Sequence, residues 1–185
     1  MSIILAVRDG DHTWLGCDRG SYRDNYRVSN LAIKWIVRGR WALGCTGYVR
    51  THDLLSRSAD FILGSEKGEG LPEGPEDVVD RIAAELDRAP HVATPPRDNE
   101  GGPKDYGAYC LLAGPGGIWQ VGGNLSLVQQ SGYGAQGIAW GEALCVMDAL
   151  LALGVSGKDL LDRTLAAIRG RVLYASGEPW TWLLE

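Results

Sequence analysis

Three residues near the start of the chain have the types and separations needed to do chemistry together. Ser2 is followed sixteen residues on by an acid, Asp18, and thirty-two residues on by a lysine, Lys34. A serine hydroxyl is a weak nucleophile until a base takes its proton. A serine at the chain terminus brings that base with it: once Met1 is removed, its α-amine, with a pKa of about 8, is available around neutrality. A nearby lysine holds that pKa down, and an aspartate orients the lysine and balances its charge. Singly these residues say little. Ser2 is a common second residue, Asp18 before Arg19-Gly20 reads as a turn, and Lys34 beside Trp35 reads as a solvated strand edge.

The elements around them give the spacing its meaning. Residues 3–7 are a continuous apolar run ending at Arg8-Asp9-Gly10-Asp11, which predicts a strand entering a tight turn, and 13–17 returns as its hairpin partner. Residues 19–29 are polar and aromatic, a loop or exposed ribbon. Strands at 33–37 and 41–45 follow, joined by Arg38-Gly39-Arg40. Ser2 then starts one strand, Asp18 ends its partner and Lys34 starts a third, so all three can converge at one edge of a sheet.

From Tyr48 the apolar period becomes helical and runs to Leu63, closed by Gly64. Residues 65–75 form an exposed connection, 77–89 a second helix and 90–103 a surface loop. Strands at 106–113, 118–121 and 125–128 come next, with 114–117 as a hairpin turn. Residues 132–137 read as a glycine-rich bend opening a third helix at 138–153, with an apolar stripe of Ala139, Ala143, Val146, Met147 and Leu150. A fourth helix at 158–168 and a strand at 180–184 close the chain. Strands grouped in hairpins and helices grouped in pairs predict an α+β architecture, two stacked antiparallel sheets with a helix pair on each outer face.

With 185 residues, 45% of them apolar, the chain fits a single domain, 1–185. The net charge of -5 comes with basic residues scattered in ones and twos, which argues against nucleic acid as a partner. Neither a signal peptide nor a membrane-length apolar run is legible, so a soluble, cytoplasmic protein is expected. Cys17, Cys45, Cys110 and Cys145 share no metal-ligand spacing and are expected as buried free thiols in a reducing compartment. His12, His52 and His91 have no partner spacing for a triad or a metal and are expected at the surface. Trp14, Trp35, Trp41 and Trp119 lie in strands as core or subunit contacts, and Trp180 and Trp182 share one strand face.

The run Ile4-Leu5-Ala6-Val7-Arg8-Asp9-Gly10, then Gly16-Cys17-Asp18, Ala32-Ile33-Lys34 and Leu43-Gly44-Cys45-Thr46-Gly47, resembles the proteasome β-subunits, in style the bacterial peptidase HslV, within the N-terminal nucleophile hydrolases. A weaker match continues through Gly134-Ala135-Gln136-Gly137 and the alanine-rich segment after it. The resemblance implies a four-layer αββα sandwich and a self-compartmentalising peptidase that needs no cofactor. Ser2 would be the nucleophile, its α-amine the general base, Lys34 the group that tunes the base, and Asp18 the group that orients Lys34. The backbone N–H of Gly47 would stabilise the oxyanion, with the N–H groups of Gly44 and Tyr48 as the alternative contributors. Arg19, Ser131 and Ser176 are candidate supporting residues. The implied partners are further copies of the chain in stacked hexameric or heptameric rings, a ring ATPase that unfolds substrate, and a polypeptide substrate.

Two positions depart from the family pattern. Ala135 stands where the family has a serine between glycines, with Ser131 nearby but out of register. Residues 169–177 contain no acid before Glu178, where the family has an aspartate. Met1 also has to leave for the amine to exist. These points keep two alternatives beside the peptidase: a ring-forming scaffold with weak or lost activity, and a non-peptidase amidohydrolase using the same N-terminal chemistry.

Overall fold

The computed structural model describes residues 3–23, 26–29, 33–47, 49–89, 105–169, 171 and 177–184. Ser2, Tyr48, His91, the 90–103 loop and Ser176 lie outside the described residues.

Strand β1 (Ile3–Asp9) is buried on both faces from Ile3 to Val7, which is why its sequence is apolar without alternation. Its odd positions Ile3, Leu5 and Val7 pack against helices, while Ile4 and Ala6 pack between two sheets. β2 (His12–Cys17) returns antiparallel, Ile4 opposite Cys17. β11 (Trp180–Leu184) pairs with β2, and β10 (Tyr133–Gly137) with β1, giving the sheet order β10-β1-β2-β11. Residues 19–29 contain a two-stranded ribbon, β3 (Ser21–Arg23) and β4 (Tyr26–Ser29). The second sheet runs β5 (Trp35–Arg38), β6 (Trp41–Gly47), β7 (Ala108–Gly114), β8 (Gly117–Val121) and β9 (Leu127–Gln130) in that spatial order.

Helices α1 (Val49–Arg57), α2 (Ala59–Leu63) and α3 (Pro75–Arg88) cover the second sheet. Helices α4 (Trp140–Ala152) and α5 (Gly157–Arg169) cover the first. The result is the expected four-layer αββα sandwich. Among the described residues, no helix is long and apolar enough to cross a membrane.

Several local expectations are corrected. The single helix expected up to Leu63 is broken at Ser58, whose hydroxyl donates to Glu85 Oε2 of α3 at 2.6 Å. The largest correction concerns residues 132–137: 133–137 form a strand, not a bend, because they hydrogen-bond to the free edge of β1 from Ile3↔Gly137 to Val7↔Tyr133. Glycine at 134 keeps the second sheet close, since a Cβ there would lie 3.0 Å from Leu111 Cδ1. The third long helix therefore starts at Trp140. Cys17, Cys45 and Cys110 are buried as expected, but Cys145 is exposed. The face of α4 that meets the sheet is carried by Ala143 and Met147, and Cys145 lies roughly 160° to 200° around the helix from both. His52 is half-buried rather than at the surface, whereas His12 is exposed. Trp180 and Trp182 do share a face, stacked at 6.1 Å.

Candidate active site

The hairpin β1–β2 brings the two ends of its strands together. Asp18 N–H donates to Ile3 O at 3.2 Å, and Ile3 N–H donates to Asp18 Oδ1 at 2.8 Å. Lys34 arrives from the other sheet. Its carbonyl accepts from Cys45 N of β6 at 3.1 Å, and the indole N–H of Trp35 donates to Gly16 O at 3.0 Å, which pins the start of β5 over β2. Lys34 Nζ then reaches Asp18 Oδ1 at 2.5 Å and Asp18 O at 2.8 Å.

Asp18 is fully buried and Lys34 is 5% exposed, so this is an ion pair enclosed between the sheets. One carboxylate oxygen gathers the first described backbone N–H of β1 and the lysine ammonium. The lysine charge is thereby fixed beside the first described residue of β1. Burial pulls the Lys34 ammonium below the ordinary lysine pKa, opposed by the attraction and hydrogen bond of Asp18. Burial also pushes the Cys17 thiol up to about 11. His52, on α1, is lowered by burial and further by Lys34, against the pull of Asp53. Its Nε2 and the Thr51 hydroxyl are buried without hydrogen-bond partners among the described residues.

Gly47 ends β6 with φ +107°, a conformation that favours glycine, and a Cβ there would stand 3.1 Å from Gly107 O. It lines a cleft of about 370 Å³ with Tyr109, Gln136 and Gly137. Gly137 is the β10 partner of Ile3, so this cleft opens beside the start of β1. Gly44 sits in the ladder between β5 and β7, facing inward. A Cβ there would be 2.8 Å from Ile4 Cδ1, so its glycine serves the approach of the sheets.

Of the remaining candidates, Arg19 is half-buried next to Asp18 in the chain. Ser131 is exposed between β9 and β10, next to the Arg8 N–H to Gly132 O bond, at the far end of β1 from Ile3. Ala135 faces the helix layer with Leu5, away from the cleft. Sequence reasoning passed over Gln136, 7% exposed, whose Oε1 accepts from Gln120 Nε2 of β8 at 2.6 Å. The signal that finds it is period-2 alternation across 133–137, usable once that segment is read as a strand.

No family model matches the chain, and no curated protein matches it. Among solved structures it is similar to Thiobacillus denitrificans BPH, at 17% identity and a TM-score of 0.74 over 99% of this chain and 97% of that one. The same protein in complex with epoxomicin matches at 17% identity and 0.73, over 99% and 98%. Eukaryotic HslV from Trypanosoma brucei matches at 15% identity and 0.72, over 99% of each chain. These likenesses run almost end to end in both partners, and what they share with this chain is its fold, the four-layer αββα sandwich.

Proposed function

We propose that the chain is a proteasome-like peptidase subunit that hydrolyses peptide bonds with Ser2 as its N-terminal nucleophile. The observation that carries this is the meeting of the Ile3 N–H and Lys34 Nζ on one buried oxygen of Asp18. It supports the reading because a fixed positive charge beside the first described residue of β1 would serve an N-terminal nucleophile. In this reading, removal of Met1 frees the α-amine, which takes the Ser2 Oγ proton as oxygen attacks the substrate carbonyl. The Gly47 N–H stabilises the oxyanion. The protonated amine returns the proton to the leaving nitrogen as the C–N bond breaks, leaving an ester on Ser2. Water, deprotonated by the same amine, hydrolyses that ester. Lys34 keeps the amine unprotonated at neutral pH, and Asp18 holds Lys34 in place.

Assembly into stacked rings that enclose the sites, fed by an unfolding ATPase, extends the same proposal. A ring-forming scaffold without turnover is the second reading. It is favoured by Ala135 facing the helix layer and by Ser131 lying at the far end of β1.

The test begins with intact mass: loss of Met1 is expected, and its retention sinks the peptidase reading. Epoxomicin, which the Thiobacillus protein binds, or a peptide boronate should then modify the chain and inhibit peptide cleavage. Ser2→Ala should abolish both; modification that survives it means the nucleophile lies elsewhere. Lys34→Ala should remove turnover while the rings still assemble.

A further inference from the structure

Gln136 is a polar side chain in a place that sheet packing alone would fill with an aliphatic one. Strand alternation puts Gln136 opposite Ile4, on the face of the first sheet that meets the second, and Ile4 belongs to the apolar cluster between the sheets. The residue is 7% exposed, and a buried amide costs free energy unless its groups are bonded. Half of that requirement is met from the other sheet: Gln120 Nε2 donates to Gln136 Oε1 at 2.6 Å. With Gln120 Nε2 as the donor of this bond, the two Nε2 hydrogens of Gln136 have no protein acceptor among the described residues. Gln136 also lines the cleft shared by Gly47 and Gly137, so its donors belong to the wall of that cleft.

We propose that Gln136 is a substrate-positioning residue whose Nε2 donates to a main-chain carbonyl of a bound peptide next to the scissile bond, with Gln120 holding the amide in the donating orientation. The proposal rests on the peptidase reading for its substrate class. A main-chain carbonyl fits because every peptide offers one regardless of side chain, and because a carbonyl is an acceptor only, matching the donor the cleft presents. Gly47 with its N–H and Gln136 with its Nε2 would then contact a bound strand from the two sheets at once, setting its register against the start of β1.

The test measures binding in the Ser2→Ala protein, so that it does not depend on turnover. A peptide of eight residues is made as a series in which one backbone carbonyl at a time is reduced to methylene. With Gln136 present, one member besides the one whose carbonyl meets the Gly47 N–H should bind roughly tenfold more weakly than the parent, the loss of one hydrogen bond to a positioned donor. In Gln136→Met that same member should bind no more weakly than the parent peptide. In Gln136→Glu, which keeps the acceptor for Gln120, the parent should lose about the same factor at pH 8. Gln120→Leu should give a smaller loss. Thermal melts identify any variant that has not folded, and either Gln136 substitution suffices. Identical profiles in the presence and absence of Gln136, full affinity in Gln136→Glu, or no peptide binding at all would overturn the proposal. Peptide binding that shows the single carbonyl dependence, in a wild-type protein that cleaves nothing, would leave this assignment standing and sink the peptidase reading instead.

Discussion

Replacing Asp18 with asparagine keeps the shape of the site and removes one charge. Asp18 is fully buried, and its Oδ1 accepts from both Ile3 N–H and Lys34 Nζ. The amide oxygen of an asparagine still accepts from the backbone, so the β1–β2 connection survives. Lys34, 5% exposed, is left as an ammonium without a counter-charge. Breaking one side of a buried pair costs about 3–5 kcal/mol. The cost has a ceiling, because the lysine can shed its proton instead. From an ordinary pKa of 10.5 that takes about 4.8 kcal/mol at pH 7, at 1.36 kcal/mol per pH unit. Asp18→Asn should therefore lose about 3–4 kcal/mol at pH 7 in urea unfolding. The sign of the pH dependence follows. Without Asp18 the folded variant sheds the Lys34 proton at a lower pH than its unfolded state does; above that pH the unfolded state binds more protons, so the variant gains on the wild type as pH rises. The gap should therefore shrink as pH rises toward 10. Asp18→Asn with Lys34→Met should be more stable at pH 7 than Asp18→Asn alone. A loss under about 1 kcal/mol at pH 7, or one that is the same at pH 10, would refute the enclosed ion pair.

Two further outcomes follow from the same interior. Gly44→Ala places a methyl 2.8 Å from Ile4 Cδ1 and 3.0 Å from the Trp35 ring, whose indole is tied to Gly16. It should destabilise by about 1–3 kcal/mol in urea melts, and a neutral result would mean the sheets separate freely. The Cys17 thiol is raised from 9.0 to about 11 by burial. The folded state therefore keeps this proton after the unfolded state has lost it. Its contribution is full below pH 9 and falls by about 2–3 kcal/mol as pH rises to 11, and Cys17→Ala should flatten that part of the stability profile. An unchanged alkaline slope in Cys17→Ala would contradict the thiol's burial.

What was legible in the sequence is what local pattern encodes. β1, β2, β5 and β6 carry apolar runs bounded by turns, and the spacing of Asp18 and Lys34 on their ends placed both residues at one site. α3 was legible apart from its start, which falls two residues early at Pro75, where the missing N–H of proline suits a first helical turn. β10 was hidden because Tyr133-Gly134-Ala135-Gln136-Gly137 has little strand propensity of its own. It is a strand because β1, more than a hundred residues earlier, offers a free edge. The break at Ser58 was hidden for a similar reason, since its partner Glu85 is on another helix. Gln136 went unnoticed as a consequence: inside a bend its polarity means nothing, and inside a strand facing a second sheet it demands a purpose.

The site is consequently a property of the contact between sheets more than of either sheet. Asp18 and the start of β1 come from one sheet, and Lys34 and Gly47 from the other. Gln136 and Gln120 form a hydrogen bond across the gap on the cleft side, and the Lys34–Asp18 pair forms one beside it. Glycines at 44 and 134 let the layers approach where both links are made: side chains there would meet Ile4 at 2.8 Å and Leu111 at 3.0 Å. A charged link of this kind tolerates little stretch, because in a low-dielectric gap the attraction that offsets the desolvation of both ions depends on contact. The glycines are therefore as much a condition for an intact Asp18–Lys34 pair as the pair's own side chains. Substitutions that push the sheets apart should disturb the Asp18–Lys34 pair without touching either of its side chains.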